Sequence, residues 1–260
     1  MIFYFSGTGN SRLAAHMLAG LLGETAMEMT EAGKMLPPAG GETGQGIGLV
    51  FPVYAWGLPA AVGKFLNSAA FRPKEGTYVY MVATCGDDAG YTDRLLARIL
   101  KEKGSGLAAA FTVEMPNTYV ALPGFDVDAP DVARRKLEAL PARIERIAQS
   151  VERRERGVCE VTRGAMPWLK TYAVRPLFNR FLTNDRHFRS NRRCTQCGAC
   201  ARACPLGNIR ANPHGRPEWL HGCTMCLACY HACPTHAVAY GPFTRGKGQY
   251  RGPGKDGRKS

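Results

Sequence analysis

The sequence predicts an α/β chain: a doubly wound parallel sheet followed by a second, small α+β domain. Three observations lead there. Strand-like and helix-like patterns alternate through the first 156 of 260 residues, as they do in parallel sheets with crossover helices. Eight of the ten cysteines fall between Cys194 and Cys233. That stretch repeats itself at an offset of 29 residues, Cys194 to Cys223 and Cys204 to Cys233.

Each element has its own signal. Met1–Ser6 is a short apolar strand. Asn10–Leu22 reads as a helix with Leu13, Met17, Leu18 and Leu21 on one face. Thr25–Met29 fits a short strand, and the Gly/Pro-rich Gly33–Gly46 a loop. Ile47–Tyr54 has the continuous apolar run of a buried strand, and Pro59–Ala69 follows as a helix. Thr77–Thr84 is a third clear strand, Tyr91–Lys103 an amphipathic helix and Leu107–Glu114 a further strand. Asp128 to about Arg156 is helical, with a kink or break expected at Pro141.

The expected organisation is a sheet domain over 1–156, a connector over 157–189, a cysteine-rich domain over 190–240 and a disordered basic tail over 241–260. The connector is basic and holds Trp168, Tyr172, Phe178, Phe181 and Phe188. Pro176 limits any helix within it. It reads as a linker whose aromatics dock on the two domains, in preference to a membrane-surface helix. The tail is rich in Gly, Lys and Arg, a composition too poor in apolar groups to order itself.

The net charge of +13 is unevenly spread. Residues 1–150 carry −1, 151–193 carry +7, 194–240 carry +2 and 241–260 carry +5. The excess sits in the connector and tail, so no nucleic acid is expected as a partner. A basic nucleic-acid-binding protein with structural clusters remains the alternative from another class. The apolar runs are shorter than the ~18–20 residues of a spanning helix, and the N-terminus lacks the basic stretch of a signal peptide. The expectation is a soluble cytoplasmic protein with no membrane span, in which clustered thiols ligate metal rather than pair as disulfides.

The first cysteine run is Cys194-x2-Cys197-x2-Cys200-x3-Cys204-Pro205 and the second is Cys223-x2-Cys226-x2-Cys229-x3-Cys233-Pro234. Structural zinc is usually held by two separated pairs. Each run instead has a third close cysteine and a proline, the bacterial pattern for [4Fe–4S] ligation. Three cysteines two residues apart wrap three corners of a cubane, and the fourth leaves to reach the other cube. One cluster is then expected on Cys194, Cys197, Cys200 and Cys233, the other on Cys223, Cys226, Cys229 and Cys204. His221, His231 and His236 lie nearby, but no ligand is missing, so they read as surface or packing groups. Residues 190–240 resemble bacterial two-cluster ferredoxins, which implies one-electron transfer at low potential.

Near the N-terminus, Ser6-Gly7-Thr8-Gly9-Asn10-Ser11 joins the first strand to the first helix. Small residues, hydroxyls and free N–H groups at a helix start make an anion site. No lysine stands at the Walker position, so this is no nucleoside-triphosphatase loop. The segment resembles the FMN phosphate loop of flavodoxins. That resemblance implies a flavodoxin-like five-stranded parallel sheet binding FMN at the carboxyl ends of its strands. It also implies ring-binding loops at Pro52-Val53-Tyr54-Ala55-Trp56-Gly57 and Thr84-Cys85-Gly86, with Tyr54 and Trp56 placed to stack. Asn117 and Tyr119 are weaker candidates beside the ring. Cys85 and Cys159 read as inert small hydrophobes.

The order of the parts resembles the flavodoxin–ferredoxin fusion proteins of anaerobic bacteria and archaea. It implies an electron-transfer iron–sulfur flavoprotein with FMN, two [4Fe–4S] clusters and other redox proteins as partners. The alternative within that class is a flavin-dependent reductase of a small substrate that takes electrons through the clusters. No catalytic acid–base pair, nucleophile or second dinucleotide motif stands out, and no catalytic residue is assigned.

Overall fold

The computed structural model of the chain describes residues 1–33 and 46–253. The greater part of the expected Gly33–Gly46 loop and the end of the expected tail lie outside them. The first elements are β1 (Ile2–Tyr4), α1 (Asn10–Leu22), β2 (Ala26–Glu28), α2 (Met29–Ala32), β3 (Ile47–Pro52) and α3 (Ala60–Asn67). Then come β4 (Val79–Cys85), α4 (Thr92–Glu102), β5 (Leu107–Glu114), α5 (Pro130–Glu152) and β6 (Val158–Glu160). These strands form one parallel sheet in the order β2-β1-β3-β4-β5-β6. The order turns back between β1 and β3, so the loops after these strands open a crevice at their carboxyl ends.

Period-two alternation divides the core between the two faces. Ile2, Tyr4, Val50, Tyr80, Val82 and Phe111 meet α1 and α5 on one side. Phe3, Phe5, Leu49, Phe51, Met81 and Ala83 meet α3 and α4 on the other. The helix α5 continues through Pro141, without the break that was one of the two expectations there. Leu140, Ile144, Ile147 and Val151 line its buried stripe. Burial at about 1.5–3 kcal/mol per large side chain outweighs the ~3 kcal/mol that an internal proline costs.

The expected connector is not a linker. Its first residues supply β6, a sixth strand beside the five that were expected, held at its start by Gly157 N–H donating to the Ala108 carbonyl. A continuous helical stretch follows: α6 (Pro167–Leu169), a π-helical turn (Lys170–Val174) and α7 (Arg175–Phe181). Arg175 N–H reaches back five residues to the Lys170 carbonyl. That wide turn lets the chain pass Pro176, which has no N–H to give. Phe188 is buried, Tyr172 meets the Tyr91 ring and Phe178 the Tyr119 ring, but Trp168 and Phe181 are largely exposed.

The remaining elements are β7 (Phe188–Ser190), α8 (Ala199–Arg202), β8 (Ile209–Ala211), β9 (Pro217–Trp219), α9 (Ala228–His231) and β10 (Val238–Tyr240). The 29-residue offset carries β7 onto β9, α8 onto α9 and β8 onto β10. The strands pair across the repeat, β7 with β10 and β8 with β9, both antiparallel. The two units are therefore interlocked. Val120 and Ala121, from the segment after β5, are buried in their shared core.

The described part of the expected disordered tail is ordered. Tyr250 is buried and donates its hydroxyl to Asn10 Oδ1 at 2.7 Å. Its N–H donates to His231 Nδ1 at 3.0 Å, so the His231 proton lies on Nε2, which donates to the Thr118 carbonyl at 2.8 Å. Burial, opposed by that carbonyl bond, pulls His231 down to about 4 and keeps the ring neutral. One aromatic anchor and one imidazole thus order a segment whose composition suggests none.

Candidate functional site

A cavity of ≈ 1190 Å³ lies at the carboxyl ends of the strands, between the sheet, the α6–α7 stretch and the second cysteine run. Of the residues expected to bind a cofactor, all but Gly9 and Gly57 line it. Gly9 caps α1 at φ 99°, a conformation that favours glycine, and packs against Pro253. Gly57 leaves room for the Arg175 side chain.

The loop after β1 is braced from within. Gly9 N–H donates to Ser6 Oγ at 3.1 Å. The hydroxyls of Ser11 and Thr84 share a hydrogen bond of 2.7 Å, tying this loop to the end of β4. The Asn10 amide is committed elsewhere: its Nδ2 donates to the Pro116 carbonyl and its Oδ1 accepts from Tyr250. Asn10 therefore shapes the loop and does not offer the free amide expected of it. No side chain caps α1, and its first turn holds no acid. Its N-terminal N–H groups keep their capacity for an anion.

The loop after β3 is a tight turn. Tyr54 and Gly57 exchange backbone hydrogen bonds at 3.0 and 3.2 Å, with Ala55 at φ 45° and Trp56 at φ 55° between them. Two successive positive φ values mark the turn type that prefers Asn-Gly, so this loop carries strain. The α6–α7 stretch clamps it. Thr171 Oγ1 donates to the Trp56 carbonyl and accepts from Tyr91 N–H. Arg175 Nη2 donates to the Leu58 carbonyl at 2.9 Å. Lys170 pairs with Asp88 at 2.6 Å, its ammonium 5.4 Å from the centre of the Trp56 ring.

Burial pushes the Cys85 thiol up to about 12, with Asp88 adding to the shift, so it stays protonated. Cys159, expected to be a small core residue, is exposed and accepts from Arg163 at 3.2 Å. Four buried polar atoms in the cavity wall lack a hydrogen-bond partner: Asp88 Oδ1, Tyr119 Oη, Arg175 Nε and Thr224 Oγ1. Such groups call for an explanation.

The cysteines fall into two crossed sets. Cys194, Cys197, Cys200 and Cys233 surround a small cavity of ≈ 60 Å³. Cys204 instead stands among Cys223, Cys226 and Cys229, each of whose thiols feels its charge. Among the described residues no three Cys, His, Asp or Glu side chains converge on the point that one metal ion needs. The backbone repeats the same preparation in each run. Gln196 and Gly198 take positive φ in the first, Met225 and Leu227 in the second. The N–H of Asn208 donates to Cys204 Sγ and that of Ala237 to Cys233 Sγ, again 29 residues apart.

The sets differ in exposure. Cys197 faces solvent, and N–H donors lower its thiol. Burial raises Cys223 to about 11 and Cys226 to about 12, and it raises Cys229 as well. Buried thiols of this kind become thiolates only beside a cation. The buried set touches the sheet. A Cβ placed on Gly7 would come 2.6 Å from Cys226 Cβ and 2.9 Å from the Tyr54 hydroxyl.

Residues 193–238 match the family model of a 4Fe-4S dicluster domain. The chain thus joins a six-stranded parallel sheet to a domain that matches this model. No curated protein matches it. Among solved structures it is similar to the Trp repressor binding protein of Bacillus subtilis, with 13% identity over 56% of this chain and 96% of that one, and a TM-score of 0.37. The rubredoxin oxygen:oxidoreductase of the anaerobe Desulfovibrio gigas is similar at 19% identity over 59% of this chain and 36% of that one, TM-score 0.36. Oxidised flavodoxin 1 of Bacillus cereus is similar at 21% identity over 56% and 95%, TM-score 0.34. The fold itself is read from the chain's own strand order.

Sequence reasoning passed over several residues around the cavity. Lys170, Thr171 and Arg175 bind the loops after β3 and β4, and Thr224 stands between two cysteines in the cavity wall. The sequence gives little sign of the first three, because Pro176 hides the helix that carries them.

Proposed function

We propose that the protein is an electron-transfer iron–sulfur flavoprotein that relays electrons between two [4Fe–4S] clusters and FMN. The observation that carries this reading is the contact of Gly7 with Cys226. It sets a loop suited to phosphate against a cysteine suited to a cluster, in the wall of one cavity.

The donors present fit both groups. Cys194, Cys197, Cys200 and Cys233 hold the solvent-side cluster. Cys204, Cys223, Cys226 and Cys229 hold the cavity-side cluster, with the repeated N–H donors on sulfur stabilising thiolate charge. Ser6, Gly7, Thr8, Gly9 and Ser11 take the phosphate on hydroxyls and N–H groups, and Asn10 holds that loop in shape. Pro52–Gly57 and Thr84–Gly86 border the ring. FMN when bound exchanges electrons in pairs or singly, and each cluster exchanges one. Lys170, Arg175 and Phe178 of the α6–α7 stretch form one wall of the site.

The test is anaerobic purification followed by assay of iron, sulfide and flavin. About eight irons and one FMN per chain are expected, with flavin reduction following photoreduction of the clusters. Zinc in place of iron, or a flavin that stays oxidised, would overturn the reading.

The cavity favours a second reading. At ≈ 1190 Å³ it exceeds the ~300–1,000 Å³ of most ligand pockets, which leaves space for a small substrate of a flavin-dependent reductase. Turnover of such a substrate by the pure protein would separate a reductase from a carrier.

A further inference from the structure

The stretch Pro167–Phe181 has two unlike faces. Its inner face is committed: Lys170 to Asp88, Thr171 to Trp56 and Tyr91, Arg175 to Leu58. Its outer face is apolar. Met166 is 67% exposed and Trp168 62%, with Leu169 and Tyr172 exposed as well, while Leu177 and Phe181 are exposed where the stretch lines the cavity. Surfaces ordinarily scatter such side chains singly, and a contiguous group marks an interaction site. The inner bonds prevent the helix from rolling to hide them.

The surroundings select the partner. Residues 161–217 hold eleven Lys and Arg and a single acid, Asp185. Asp185 is buried, with Asn208 donating to it and His221 beside it. Arg180, Arg186, Arg189, Arg192 and Arg193 are exposed. An apolar face of Met166, Trp168, Leu169 and Tyr172, followed in the chain by exposed arginines, matches an anionic lipid surface: rings and aliphatic chains enter about 5–10 Å, and guanidinium groups meet the headgroups. A second copy fits poorly, because a two-fold contact sets the same patch against itself and the arginines have no exposed acid to meet. A duplex would use the arginines and leave the apolar face idle.

We infer that the outer face of α6–α7 seats on the surface of an anionic bilayer as a monotopic contact. It is not a span: among the described residues no helix is long and apolar enough to cross a membrane. The contact needs the folded chain but no electron-transfer step, so it stands or falls separately from the proposed function.

The experiment is co-sedimentation of the full chain, purified anaerobically, with vesicles of equal phosphatidylglycerol and phosphatidylcholine or of phosphatidylcholine alone. Binding is expected to the anionic vesicles and to weaken with salt. Combined Trp168→Ser and Leu169→Ser should reduce it at least about tenfold, and Arg180→Gln with Arg186→Gln about fivefold per charge. Iron content and cluster absorbance of each variant report folding, and Trp168→Phe should restore binding. Three outcomes overturn the inference: no binding to anionic vesicles, binding insensitive to the serine variants, or a dimer in sedimentation that these variants abolish. Equal, salt-dependent retention of wild type and serine variants on duplex DNA, without vesicle binding, would assign the arginines to nucleic acid instead.

Discussion

Gly7 and Cys226 stand in contact across the boundary between the sheet domain and the dicluster domain, with no room for a side chain on the glycine. Gly7→Ala must push either the loop or the cysteine aside. Flavin content should fall several-fold, while the signal of the solvent-side cluster persists. The flavin-to-protein ratio and the electron paramagnetic resonance (EPR) spectrum of the reduced protein decide it. A variant with full flavin content and unchanged spectra would remove the contact from the electron path.

The crossed cysteine sets make a prediction opposite to sequence proximity. Cys233→Ala should abolish the same cluster signal as Cys197→Ala, although Cys233 belongs to the second run. Cys204→Ala should behave like Cys226→Ala. EPR spectra of the four reduced variants sort them. Pairing by run, Cys204 with Cys197, would refute the crossing.

Ala55 sits at φ 45° in the turn after β3. A left-handed residue other than glycine costs roughly 1–2 kcal/mol, and glycine returns roughly 0.5–1 kcal/mol of that through a freer unfolded chain. Ala55→Gly should raise unfolding stability by about 0.5–1 kcal/mol. Denaturant titration monitored by circular dichroism measures it. A lower midpoint would show that the alanine methyl packs more than the strain costs.

Tyr250 gives its hydroxyl to Asn10, whose amide holds the Pro116 carbonyl. Tyr250→Phe leaves a buried acceptor unmet and should cost about 1–2 kcal/mol. Because Asn10 shapes the loop, FMN affinity should drop several-fold, read by fluorescence as flavin is released on dilution. Unchanged affinity with lowered stability would confine Tyr250 to a structural role.

Signals carried within a few residues were legible in the sequence. The cysteine runs, the loop after β1 and the long strands each declare themselves through spacing or apolar runs, and they mark out the two domains. What escaped depends on distant partners. β6 is three residues with a mostly exposed pattern, so nothing local marks it as a strand. The helix over Pro167–Phe181 was obscured by Pro176, because the π-turn that admits the proline has no sequence signature. The Lys170–Asp88 pair spans 82 positions and arises only once the sheet has brought the loop to the helix. The tail misled through its composition, where one tyrosine outweighs a dozen polar neighbours by entering a buried site.

The bond between Asn10 and Tyr250 spans 240 residues, and this has a consequence during synthesis. At about 5–20 residues per second, a ribosome makes the second partner on the order of ten to fifty seconds after the first. Once Thr84 and Pro116 have been made and brace it, the loop at the head of α1 can be folded and still uncovered, because Gly252 and Pro253, which lie against Thr8 and Gly9, do not yet exist. A ligand then meets that loop with one more side open than in the finished protein, and the segment from Tyr250 to Pro253 acts as a latch on that side.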